Sequence, residues 1–216
     1  MVDLTVTVEK AEAVRMAIAP TLSFQLRLVN TNRQTAIQSI MLRCQIRIEP
    51  SRRKYDSQEQ SRLFDLFGSP SGWGQSLRPM LWTHAQTIVP AFADEVMVDL
   101  PVPCTHDFNI AASRYFDGLE NGEVPLCLLF SGTVFAESEA GLLCAVPISW
   151  NLEAAYRLPV RIWKDMMEIY YPNTVWLPLR RDNFERLSQF KRAQGLASWE
   201  QAVEMLLSGQ AEGVSL

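Results

Sequence analysis

The 216 residues are poor in the side chains that most often bind metals or act as nucleophiles. There are two histidines, His84 and His106, and four widely separated cysteines, Cys44, Cys104, Cys127 and Cys144. No C-x-x-C pair occurs, and the spacing fits reduced thiols better than a disulfide framework or a structural zinc site. Neither histidine lies in H-E-x-x-H or beside a G-x-S-x-G elbow. GSPSGWG at 68–74 has glycines but lacks the lysine and the helix of a phosphate loop. Nowhere do about 18 apolar residues run together, and MVDLTVTVEKAEAV has no basic stretch leading into an apolar one, so a non-secreted, cytoplasmic chain with no membrane contact is expected. Neither sign of charge dominates. With 20 Lys and Arg against 24 Asp and Glu the net charge is −4, which gives no general attraction to nucleic acid.

What is present is a chain rich enough in apolar residues, 48% of the total, to bury roughly 70% of its extended surface without a disulfide or metal. Over the first 150 or so residues those side chains alternate, the period of strands with one buried face. Leu22, Phe24, Leu26 and Leu28 form one such set, and Ile40, Leu42, Cys44, Ile46 and Ile48 the clearest. Further strands are expected at 4–10, 80–90, 95–103, 104–112, 124–136 and 141–150. That makes about eight, at spacings typical of an antiparallel sandwich. Between them, 51–79 reads as a short helix capped by Asp56 or Ser57 and stopped at Gly68, followed by a mobile loop.

From Leu158 the period becomes 3.6. Pro159 starts a helix with Ile162, Trp163, Met166, Met167 and Tyr170 on its inner face. A second helix over 182–194 presents Phe184, Leu187 and Phe190 and closes at Gly195. A third begins at Ser198 in a capping box with Gln201 and aligns Trp199, Ala202, Val203, Leu206 and Leu207. The expected architecture is α+β, mainly β: an antiparallel β-sandwich at 1–157 with a helix and loop insertion at 51–79, then a three-helix appendage at 158–216. That appendage packs on the sandwich or serves dimerisation.

PCTHDF at 103–108 tests the case for chemistry. Strand alternation puts Leu100, Val102, Cys104, His106, Phe108 and Ile110 on one face, with Thr105 and Asp107 on the other. Cys104 and His106 then line up with core residues, and Asp107 is turned away from the histidine it would serve. A metal would need two more ligands from neighbouring strands, and buried free cysteines commonly act as small hydrophobes. No metal and no cofactor are expected. The carboxylates of DGLENGE at 117–123 read as a solvated turn at Asn121-Gly122 rather than an acid pair.

Two other features bear on function. Arg52, Arg53 and Lys54 follow a strand whose polar face carries Arg43 and Arg47, a basic strand end able to meet an acidic partner. Trp73, in its glycine loop, and Trp82 are of the residue type that anchors interfaces. These five, Arg52, Arg53, Lys54, Trp73 and Trp82, are the candidate binding residues; no catalytic set is found. Trp73, Tyr115 and Phe116 would suit a second reading, a carbohydrate or small-ligand site at one end of the sheets. The order of strand, helix, glycine turn and capped helix over 174–209 resembles the ribbon-helix-helix unit of small DNA-binding proteins, departing from it at Pro178 and offering only Arg180 as an outward base.

RCQIRIEPSRRKY, LWTH, DLPVPCTHDFNIAASRYFDGLENGEVPLCLLFSGTVF and WLPLRRDNFERLSQFKRAQG together resemble an uncharacterised bacterial family, domain of unknown function 6084. The resemblance spans nearly the whole chain. It implies an accessory role near NiFe hydrogenases and carries over no catalytic residue. The expectation is a soluble, non-enzymatic accessory or protein-binding module. Its partner would be another protein, such as a hydrogenase component, or a second copy in a homodimer.

Overall fold

The computed structural model describes residues 3–32, 36–105, 110–137, 141–174 and 177–211. It divides into two compact units, Met1–Thr174 and Val175–Leu216. The boundary falls beyond the expected 157/158 because the first C-terminal helix buries Trp163 and Met166 in the core of the first unit.

That unit is an antiparallel, mainly β structure of two sheets. One sheet has the order β1 (Leu4–Ala13), β2 (Thr21–Asn30), β5 (Glu95–Pro103). The other has β4 (Met80–Val89), β3 (Ile37–Ile48) and β6 (Glu123–Glu137), with both β7 (Leu143–Pro147) and β8 (Glu153–Pro159) paired to β6. The alternation in β2 and β3 has the predicted result. Leu22, Phe24, Leu26 and Leu28 from one sheet and Ile40, Leu42, Cys44, Ile46 and Ile48 from the other are all buried, as apolar residues on the inner faces of packed sheets must be.

Helices α4 (Ile110–Gly118) and α5 (Val160–Tyr170) supply aromatic side chains to the same core. Trp163 stacks on Phe116 at 4.3 Å and 12°, and Trp82 packs on both, 5.2 Å from Phe116 and 5.9 Å from Trp163. Pro159, expected to open α5, is its N-cap. Tyr170 accepts from Ala17 N at 2.9 Å and donates to Val14 O at 2.7 Å, fixing the β1–β2 connection. Between β3 and β4 lie the short helices α1 (Ser57–Arg62), α2 (Phe64–Phe67) and α3 (Trp73–Ser76), the first capped by Asp56 as expected.

The second unit is a helical hairpin, α6 (Arg181–Ala193) and α7 (Trp199–Ala211). The two helix ends at its loop follow the predicted capping chemistry. Gly195, at φ +65°, closes α6 with Leu196 N donating to Lys191 O and Gly195 N to Arg192 O, the paired bonds of a Schellman motif. Ser198 and Gln201 exchange bonds across the start of α7.

Three expectations are corrected. Of the strand expected over 104–112, the described residues 104–105 and 110–112 are not strand: β5 ends at Pro103, and 110–118 is helix α4, with Ile110 exposed. The remaining strand is 153–159, which pairs with β6. The strand expected over 141–150 is confined to β7 and is mostly exposed, and no strand is present among the described residues 177–180 of the supposed ribbon. No helix of the described residues is long and apolar enough to cross a membrane.

Candidate interaction surfaces

Cys104 turns inward as the register predicted, buried, with its N–H on Pro20 O at 2.7 Å and its thiol on Val102 O at 3.1 Å. His106 and Asp107 lie outside the described residues. The cysteines do not converge. Cys44 is in the core between Ala85 and Phe130, Cys127 lies half-buried on the opposite face of β6, and Cys144 is exposed on β7. No group of three metal-capable side chains occurs among the described residues. Burial pushes the thiols of Cys44 and Cys104 up to about 12, where they are inert. His84 points out from β4 opposite Gln45, into a shallow cavity of about 390 Å³ lined also by Arg43, Gln86, Leu129 and Ser131. That lining has no carboxylate to orient the imidazole, as an acid–base pair would need.

The basic strand end divides. Arg52 and Lys54 are exposed, but Arg53 is an internal clamp. Its guanidinium donates to Glu59 Oε1 at 2.5 Å, to Asn121 O at 2.7 Å and to Glu123 O at 2.8 Å, and lies over the Tyr55 ring. Glu59 also accepts from Glu120 N at 2.9 Å. Arg53 and Glu59 thus fasten the α4–β6 turn, DGLENGE, to α1. Arg62 holds Glu120 at 2.5 Å and keeps its carboxyl below the usual range. Of that turn's carboxylates, Glu120 is thus engaged in an exposed ion pair.

Neither tryptophan is a surface anchor. Trp73 is 7% exposed: its indole donates to Gly68 O at 3.0 Å and its ring meets Tyr55 at 5.1 Å and Phe67 at 6.0 Å. The Gly/Ser/Pro segment expected to be a mobile loop is tied down by that ring as short helical turns. Trp82 is 4% exposed. A bulge in the β3–β4 ladder skips it between Ile46↔Thr83 and Arg47↔Leu81, so Trp82 and Thr83 both turn inward. Tyr115 and Phe116 are wholly buried. The aromatics proposed for a carbohydrate platform are therefore core residues.

Within the second unit, taken by itself, an apolar face is left uncovered. None of α6 is buried, and among the described side chains of α7 only that of Ala202 is covered. Leu177, Leu179, Phe184, Leu187, Trp199 and Val203 form the floor of a groove of about 640 Å³, with Glu200 and Glu204 at its side. Phe184 meets Trp199 at 5.3 Å and Lys191 stands over the same indole. Leu177 is 72% exposed and Leu207 65%. The helix faces were legible in the sequence. That they lie uncovered was not, because periodicity tells which side of a helix seeks burial and not what buries it.

No curated protein matches the chain. Among solved structures it is similar to the CARDB domain of the PF1109 protein from Pyrococcus furiosus, at 12% identity over 73% of this chain and 91% of that one, with a TM-score of 0.28. It is also similar to the putative ApaA protein from Bordetella pertussis, at 16% identity over 73% and 93% with a TM-score of 0.23. A β-glucosidase from Kluyveromyces marxianus matches at 10% identity and a TM-score of 0.28, over 72% of this chain but 15% of the enzyme. A family model matches residues 1–215, nearly end to end, and the chain belongs to that family of unknown function, DUF6084.

Proposed function

We propose that the protein is a non-enzymatic protein-binding module that engages its partner through the α6–α7 hairpin. The observation that carries this reading is the groove of Leu177, Leu179, Phe184, Leu187, Trp199 and Val203, an apolar face that the second unit does not itself cover. Contiguous exposed apolar surface edged by polar groups is the mark of a docking site, and Trp and Phe in such a groove are the usual anchors. The first unit supports the reading by what its candidate residues do instead: Arg53, Trp73 and Trp82 are committed to internal bonds and packing. Arg52 and Lys54 remain exposed and would supply a basic rim for an acidic surface. A hydrogenase component, suggested by the family resemblance, is the first heterologous partner to look for.

The test is co-purification of differently tagged copies of the intact chain from native cells, compared with the Leu177→Asp variant. A polypeptide, whether a second copy or another protein, should accompany the wild type and be lost with the variant. An identical set with both, or none with either, would overturn the reading.

A further inference from the structure

We infer that the α6–α7 face is closed by the same face of a second copy of this chain, the two hairpins forming an antiparallel four-helix bundle. The inference rests on the reading of that face as a docking surface and names its occupant.

The first support is what the hairpin has and lacks. The two ends that meet at its loop are specified, with a Schellman closure at Gly195 and a capping box at Ser198 and Gln201. Its interior is nearly empty: the side chain of Ala202 is covered, and the larger apolar residues are exposed or half-buried. A unit of about 40 residues generally needs a disulfide, a metal or association to be stable. The last cysteine is Cys144 and the last histidine His106, so Val175–Leu216 has neither a thiol pair nor an imidazole ligand of its own. Burial of its apolar face against another surface is the remaining device.

The second support is charge. Helix α6 carries Arg181, Arg186, Lys191 and Arg192 against Asp182 and Glu185. Helix α7 carries Glu200 and Glu204 and no cation. Two hairpins related by a two-fold axis can set the basic α6 of each beside the acidic α7 of the other, so that one surface is complementary to itself. That is the requirement of an isologous interface, and it closes at two chains. Glu200 and Glu204 lie along the apolar groove itself, the position of flanking charges in helix bundles. Phe184 and Trp199, already in contact, would form the aromatic centre.

The experiment is sedimentation equilibrium of the intact chain at micromolar concentration, with Val203→Arg and the double variant Glu200→Lys/Glu204→Lys. The wild type should run at twice 24.5 kDa. Both variants should dissociate roughly tenfold more readily or further, since each strikes the centre or the charge match of the interface. Unchanged circular dichroism would show that the fold is retained. The wild type at a single-chain mass throughout would overturn the inference, and so would dimers that the variants leave intact. If the chain is a monomer yet a photoreactive group at Leu177 captures another protein, the docking reading stands and the second copy falls. If the group reacts only within its own chain, both fall.

Discussion

Arg53 and Glu59 form an ion pair at 2.5 Å in which both side chains are over nine-tenths buried. The two charges lock α1 to the turn that leads into β6, and each has further bonds to backbone in that turn. Removing one partner strands the other in a poorly solvated site. Arg53→Met should therefore destabilise the fold by about 3–5 kcal/mol, read as the shift in urea midpoint at constant slope. The double variant Arg53→Met/Glu59→Leu should recover much of that loss. The exposed neighbours Arg52 and Lys54, changed to Ala, should move stability by less than about 0.5 kcal/mol. Equal losses at all three positions would contradict the division of the basic cluster into one clamp and two free cations.

Gly132 sits in β6 at φ +141°, and a Cβ there would lie 2.0 Å from Met41 O on the paired strand β3. No rotamer relieves a clash with backbone. Gly132→Ala should cost at least about 2–3 kcal/mol, with loss of amide protection along β3 and β6. A variant as stable as the parent would show that the β3–β6 ladder is looser than the register implies.

The buried thiols set a pH dependence. Unfolded cysteines ionise near 9.0, whereas burial holds Cys44 and Cys104 as thiols until about 12. Between those values the unfolded state gives up protons that the folded state keeps. The stabilisation is complete below about 9 and is lost as pH rises toward 12, by up to about 1.4 kcal/mol per pH unit for each group. Tyr55, which burial raises to about 12 from 10.0, adds to the upper part of the range. Urea titrations from pH 8 to 11 should show this fall, and Cys44→Ala should make it shallower. At neutral pH a thiol reagent should modify exposed Cys144 first and leave Cys44 and Cys104 untouched. Equal labelling of all four would be incompatible with the core as described.

Much of this was legible in the sequence, because local chemistry specifies what it touches directly. The alternation of Ile40 through Ile48 gave the inner face of β3, and Ser198 with Gln201 gave the start of α7. Alternation along β4 is broken at Trp82, which a one-residue bulge opposite Ile46 and Arg47 turns inward beside Thr83. Sequence alternation failed at 110–112, where apolar residues in α4 continue the pattern of β5 by coincidence of period over a few residues. Arg53 looked like a surface cation because its partners, Glu59 and the 121–123 backbone, are tertiary neighbours. The candidate site shifted for the same reason: burial of Trp73 by Tyr55 and Phe67, and exposure of Trp199, are facts of packing.

The central claim, that the α6–α7 face meets its own copy, is tested most directly by mixing isotopically heavy and light intact chains that carry a photoreactive residue at Leu206. The account predicts crosslinked peptide pairs of mixed isotope drawn from α6 and α7. Crosslinks of one isotope alone, reaching from α7 to residues within 3–174, would contradict it.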